Sequence, residues 1–235
     1  MSAHDTGRFA AAIASENARG FTAVIPDIKC VSPKEGDLLR GRDAVAAAKQ
    51  LVLFGAPVLS VVTERERFGG SPELLRSVVD AAGVPVLRKD FIISEDMLEE
   101  TLELGAAAVL LICAIMENAT LSRLYEKSLS IGLEPFVEVC SAQEMAQAKA
   151  LGARLIGVNN RNIVALELDE GGPSRTAGLS SLVPDGAILV SESGILTTQD
   201  AKMAADSGAN AILVGTALWQ ADDMQAAYRS LRVSY

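Results

Sequence analysis

The chain is poor in the residues that most often announce a mechanism. It has a single histidine among 235 residues, and that residue, His4, stands in an N-terminal stretch that reads as frayed. Little room is left for a mechanism built on a histidine base. The three cysteines, Cys30, Cys113 and Cys140, are odd in number and widely spaced, which excludes a disulfide framework. The first twenty residues lack a basic start, a greasy block and a small-residue cleavage site, so no secretory signal is expected. The thiols therefore read as reduced, in a cytoplasmic protein. All three follow strand candidates, yet their spacing fits no short zinc motif and no histidine is near. They are expected to pack as small apolar groups, with no metal bound. No apolar run is long enough to span a bilayer. Positive charge is scarce as well: 21 Lys and Arg against 30 Asp and Glu give a net charge of -9, with no basic run. A field of that sign repels nucleic acid and anionic membranes, and neither is expected as a partner.

What the chain has in plenty is aliphatic residue. Apolar residues make up 49% and aromatics only 4%, the composition of parallel strands buried on both faces. Short β-branched runs at 22–28, 57–63, 85–89, 107–113, 134–139, 154–159, 187–191 and 211–215 alternate with longer segments of helical spacing. The helical segments fall at 43–54, 72–82, 95–104, 118–131, 142–151, around 175–182, 198–207 and 222–231. Glycines stand where helices should stop: Gly83, Gly105, Gly132, Gly152 and Gly208. Eight such units predict a (β/α)8 TIM barrel, a single domain over 1–235 whose first 20 residues form a short N-terminal helical extension. An open doubly wound sheet is the alternative, but its G-x-G-x-x-G fingerprint is absent.

Catalytic groups of such barrels sit at the C-terminal ends of the strands. Polar residues do gather there: Asp27 and Lys29, Glu64, Lys89 and Asp90, Glu138, Asn159 and Arg161, Glu192 and Ser193. One such residue alone would read as a paired rim charge; converging from several strands, they read as a site. Ser193-Gly194 after the seventh strand and Gly215-Thr216 after the eighth fit a phosphate loop, where glycine lets backbone N–H groups approach an anion. A small, phosphorylated substrate follows, and the acidic chain must then concentrate its few cations at one place to hold it.

With those blocks assembled, the sequence resembles indole-3-glycerol phosphate synthase from about Phe21 onward. The matching stretches are residues 27–33 (D-I-K-C-V-S-P), 63–64 (T-E), 68–71 (F-G-G-S), 87–92 (L-R-K-D-F-I) and 136–139 (F-V-E-V). Residues 156–162 (I-G-V-N-N-R-N), 190–195 (V-S-E-S-G-I) and 213–216 (L-V-G-T) complete the set. The resemblance implies ring closure, decarboxylation and dehydration of 1-(2-carboxyphenylamino)-1-deoxyribulose 5-phosphate in tryptophan biosynthesis, with no cofactor. It implies Lys89 as general acid, Lys29 as holder of the substrate carboxylate and Glu138 as its acid–base partner. Asn159 would orient the closing ring, Glu192 would tune the lysines, and Arg161 would place the anthranilate or sugar portion. Phe68 and Phe91 would wall the aromatic ring. Ser32, Ser193, Gly194, Gly215 and Thr216, with Leu213 beside them, would hold the phosphate end. Weak association with other enzymes of the tryptophan pathway is implied too.

Two departures stand out. Asp27 occupies a position where the family carries Glu, which withdraws the carboxylate by roughly 1.5 Å. The family's longer N-terminal extension helps to cover the substrate, whereas here only a helix at 8–17 is available. Weaker closure, or a lid supplied by another chain, is the expectation. Rival readings are a paralogue acting on a modified anthranilate, a related phosphate-binding barrel isomerase, and a non-catalytic regulator. The lysine pair with Glu138 and Asn159-x-Arg161 favours ring closure over the last two.

Overall fold

The computed structural model describes residues 7–161 and 172–234. His4 and Asn162 lie outside the described residues. Eight parallel strands run in chain order: β1 (Ala23–Ile28), β2 (Leu59–Val62), β3 (Val86–Lys89), β4 (Ala108–Ile112), β5 (Glu134–Val139), β6 (Leu155–Asn159), β7 (Ile188–Glu192) and β8 (Ala211–Val214). Each pairs with its successor, and β8 pairs with β1 from Ala23↔Ala211 to Pro26↔Val214, which closes a TIM barrel. The helices between and after them are α1 (Ala44–Leu53), α2 (Pro72–Ala82), α3 (Glu95–Glu103), α4 (Asn118–Ile131), α5 (Ala142–Ala150), α6 (Ser174–Leu179), α7 (Thr198–Asp206) and α8 (Met224–Leu231).

Local chemistry explains where the helices begin. Asp43, Ser71, Ser94, Ser141, Thr197 and Asp223 each cap one, the side-chain oxygen accepting the N–H three residues on. The sequence-based bounds shift by a residue or two. Cys113 opens a 3-10 turn (Cys113–Ile115) rather than ending β4, and Glu192 completes β7. The segment expected around 175–182 divides into α6 and a second 3-10 turn, Ser180–Leu182. Two small elements escaped the periodicity: a hairpin pairing Val31–Ser32 with Gly36–Asp37, and a helix at Thr216–Gln220.

The strands sort their side chains with period two. Ala23, Ile25, Leu87, Ala108, Leu110, Ile112, Phe136, Val190 and Leu213 fill the barrel, whereas their neighbours Val24, Ile28, Val86, Val109, Leu111, Val137 and Leu189 pack outward against the helices. Continuing the inward parity to the strand ends selects Asp27 and Lys29, Lys89, Glu138, Asn159 and Arg161, and Glu192. Arg88, Asn160 and Ser191 have the outward parity.

The helix expected at 8–17 is present as Arg8–Asn17, but not as a cover for the mouth. Phe9 and Ile13, both fully buried, join the cluster built on the first inward residues of the strands, including Ala23, Val58, Leu155 and Ala211. Glu134, at the start of β5, accepts the N–H groups of Phe9 and Ala10. Asn17 donates to the Asn210 carbonyl ahead of β8 at 2.8 Å. The helix thus stoppers the N-terminal floor, opposite the strand ends. Its apolar stripe was complementary to the aliphatic floor, and the mouth is polar. Phe9→Ala is expected to cost about 3–5 kcal/mol of stability in chemical denaturation. A loss below about 1 kcal/mol would mean that the barrel does not depend on its stopper.

Candidate active site

At the centre of the mouth stands an ammonium group between two carboxylates. Lys89 ends β3, and its Nζ lies 2.8 Å from Glu192 Oε2 and 3.3 Å from Glu138 Oε2. Both glutamates are buried, on β7 and β5. Asn159, on β6 between them, donates from Nδ2 to Glu138 Oε1 at 3.1 Å, and its Oδ1 accepts the Arg161 N–H at 2.9 Å. Asp27 is buried on β1 and accepts from the Ser60 hydroxyl of β2 at 2.7 Å. Lys29 places its ammonium 5.5 Å from the centre of the Phe68 ring.

Two cavities open from this cluster and share Asp27, Lys29 and Lys89 in their walls. The first is apolar, walled by Val62, Phe68, Phe91, Leu110 and Ile112. The second is polar, walled by Arg161, Ser193, Gly194, Leu213, Gly215 and Thr216. Arg161 Nε is buried without a hydrogen-bond partner among the described residues, a donor still to be satisfied. Of the catalytic and substrate-binding residues expected from the sequence, Ser32 alone lies outside the cluster and the walls of its cavities. It is buried in the hairpin after β1, where its hydroxyl accepts the Glu35 N–H at 3.3 Å. Glu64, noted at the rim, accepts the N–H groups of Arg67 and Phe68 and so shapes the turn that presents Phe68.

Sequence reasoning passed over the polar residues of outward parity. Arg88 turns away from the mouth to Thr63, Glu100, Thr101 and Asp90, at 2.7 to 3.4 Å, and ties the end of β3 to α3. Arg175 of α6 donates to the carbonyls of Asn159 and Arg161 at 2.6 and 2.9 Å. Asn160 packs between β6, β7 and α6. A period-two count from any buried strand residue would have separated Arg88 and Asn160 from the inward groups, whereas Arg175, on a helix, carries no such signal.

Cys113 packs in the outer core, and the Cys140 thiol lies 3.3 Å from Glu144 Oε1. Burial, with Glu144 nearby, pushes Cys113 up to about 12 and Cys140 up to about 11. Among the described residues no group of three or more His, Cys, Asp or Glu side chains is placed to hold a metal ion.

The family model described as indole-3-glycerol phosphate synthase matches residues 1–231. An indole-3-glycerol phosphate synthase of Kineococcus radiotolerans is 43% identical over 208 residues, 88% of this chain and 75% of its own. That of Pyrococcus abyssi is 39% identical over 207 residues, 88% of this chain and 90% of its own. A multifunctional tryptophan biosynthesis protein of Phycomyces blakesleeanus is 41% identical over 204 residues, 85% of this chain and 26% of that protein. Among solved structures, thiamine phosphate pyrophosphorylase from Pyrococcus furiosus aligns with a TM-score of 0.65 at 16% identity, over 92% of this chain and 96% of that one. At that identity the likeness is one of fold.

Two tests follow from the geometry. A Cβ on Gly157 of β6 would lie 2.2 Å from the Phe136 ring and 2.4 Å from Glu192 Oε1. Gly157→Ala is therefore expected to lower stability by about 1–3 kcal/mol, and an unchanged denaturation midpoint would refute the tight fit. At pH 8 the Cys140 thiol of the folded protein should alkylate about 100-fold more slowly than free cysteine, since the thiolate is the reactive form. Labelling at the rate of free cysteine would show that its burial is not maintained in solution.

Proposed function

The chain belongs to the indole-3-glycerol phosphate synthase family, and from that premise we propose how its mouth performs ring closure on 1-(2-carboxyphenylamino)-1-deoxyribulose 5-phosphate. The observation that carries the reading is the pair of cavities meeting at Lys29 and Lys89, one apolar and one polar. An aromatic ring suits the first and a phosphate the second. The ketone carbon between them then lies beside the lysines, where the new bond must form.

The ring carbon that bears the carboxylate attacks the ketone carbon, and the carbonyl electron pair moves to oxygen. Lys89 donates the proton that neutralises this oxygen, in a setting where an ammonium group is held at the developing charge. Loss of carbon dioxide returns its bonding pair to the ring and restores aromaticity. The new hydroxyl then departs as water, with loss of a proton, to complete the pyrrole. Glu138 and Glu192, both within hydrogen-bond reach of Lys89, hold the ammonium in place before transfer and offset its charge. Lys29 meets the substrate carboxylate, Asn159 keeps Glu138 oriented, and Phe68 and Phe91 flank the ring. Arg161, Ser193, Gly194, Gly215 and Thr216, with Leu213 beside them, receive the phosphate, Arg161 offering an Nε that has no partner among the described residues.

Asp27 supports a second reading, a substrate with a modified anthranilate ring, because it lines both cavities with a side chain one methylene shorter than glutamate. We also read the protein as cytoplasmic and as working beside other tryptophan-pathway enzymes. Its three thiols are free, and a similar segment is present in the multifunctional tryptophan biosynthesis protein.

The deciding experiment follows indole fluorescence as purified protein turns over the carboxyphenylamino-deoxyribulose phosphate. The parent should form product, and Lys89→Ala should lose about 10²–10⁴-fold in kcat. No product from a folded parent that binds the substrate would overturn the reading. Full activity in Lys89→Ala would move the acid role elsewhere.

A further inference from the structure

Ser193 follows β7 directly and adopts a left-handed backbone, with φ of 63°. Gly194 follows with φ of 72°, which costs glycine little. For serine the conformation is strained, and it persists only where surroundings enforce it. Only one other non-glycine residue among the described residues, Arg40, has positive φ. The two left-handed residues turn the chain sharply at the strand end and set it into the wall of the polar cavity.

The enforcing group is Asn160, which is 4% exposed and lies on the outward side of the barrel wall. Its Nδ2 is 3.1 Å from the Ser193 carbonyl oxygen, 2.9 Å from that of Glu192 and 3.0 Å from the Ser191 hydroxyl. Its backbone N–H donates to Glu192 O at 2.9 Å. The amide cannot rotate away, because its Oδ1 accepts from both the N–H and the hydroxyl of Thr176, at 3.1 and 3.0 Å. Thr176 and Ser191 are fully buried and their hydroxyls meet at 2.8 Å. A strap thus runs from β6 through the first turn of α6 and grips three successive residues of β7 and its exit.

We propose that Asn160 is a positioning residue for the anion end of the site, holding Ser193 left-handed so that the Ser193–Gly194 turn is shaped for a phosphate before one arrives. Asn160 faces the helix layer and lines neither cavity, so it acts through Ser193 rather than on the substrate. The inference rests on the reading of the polar cavity as the phosphate site.

The test is a double-mutant cycle between Asn160→Ala and Ser193→Gly. Inorganic phosphate binding, by calorimetry, is read beside kcat and KM. Asn160→Ala should weaken phosphate binding and raise KM about ten-fold, with kcat changed less than about three-fold, as one residue is released from strain. In the Ser193→Gly background the same substitution should cost less than about three-fold, because glycine needs no strap. Equal losses in both backgrounds would overturn the proposal while leaving the phosphate site intact. A parent that binds no phosphate would remove the phosphate reading, and this inference with it. Should Asn160→Ala alone not fold, the double variant decides: folded with near-background affinity supports the strap, and failure to fold assigns Asn160 to the fold alone.

Discussion

The structure turns on a largely buried ammonium group held between two buried carboxylates. Glu192 is wholly inaccessible and Glu138 nearly so, and between them the Lys89 side chain keeps 13% of its exposure. Each ion gives up several kcal/mol of hydration to stand there. That cost is offset only if every partner stays in place, because removing one leaves an uncompensated charge in the wall, worth about 3–5 kcal/mol. Much of the surrounding design reads as a response to that demand. Asn159 satisfies the second oxygen of Glu138, Gly157 leaves the space that Glu192 occupies, and Arg88 anchors the end of β3 from behind. The same demand suits the proposed chemistry, since an ammonium group held by fixed partners stands ready where negative charge would develop.

The overall charge of the chain makes this concentration necessary. A net charge of -9 repels a substrate that carries both carboxylate and phosphate. The barrel answers by projecting Lys29, Lys89 and Arg161 from three different strand ends toward one mouth, a placement no single helix or loop could supply. Period two does the work. The same alternation that packs Ile25 and Leu87 inside the barrel carries on to Asp27 and Lys89, so the residues that bury the core also aim the reactive groups.

That alternation marks the limit of what was legible beforehand. The eight strands, the helices and the inward polar groups could be read because each rests on local pattern: β-branched runs, helical spacing ended by glycine, charge at the end of an aliphatic strand. The destination of the N-terminal helix could not. An apolar stripe containing Phe9 and Ile13 says that one face is buried, but both ends of a barrel lie at similar distance along the chain. Only the contrast between an aliphatic floor and a charged mouth settles which end it stoppers. Ser32 shows a related ambiguity: a serine after a strand reads as a phosphate donor, and a two-residue hairpin also uses its hydroxyl in a turn. Asn160 was hidden between two conspicuous neighbours, Asn159 and Arg161, and only its opposite parity distinguishes it.

Parity also bears on the aspartate that stands where a longer acid is usual in the family. Were Asp27 outward-facing, a lost methylene would be absorbed by side chains of the helix layer. It faces inward, and its carboxylate accepts from Ser60 on the neighbouring strand, with Asp27 and Ser60 in direct register. Its position is therefore fixed by two adjacent strands of a closed barrel, which cannot shift to recover the missing length without disturbing the pairing on both sides. The groups that can adapt are the long ones across the junction, Lys29 with its four-carbon stem and the substrate itself. Under the proposed reading, a change of one methylene at Asp27 would fall on whatever occupies the junction between the cavities.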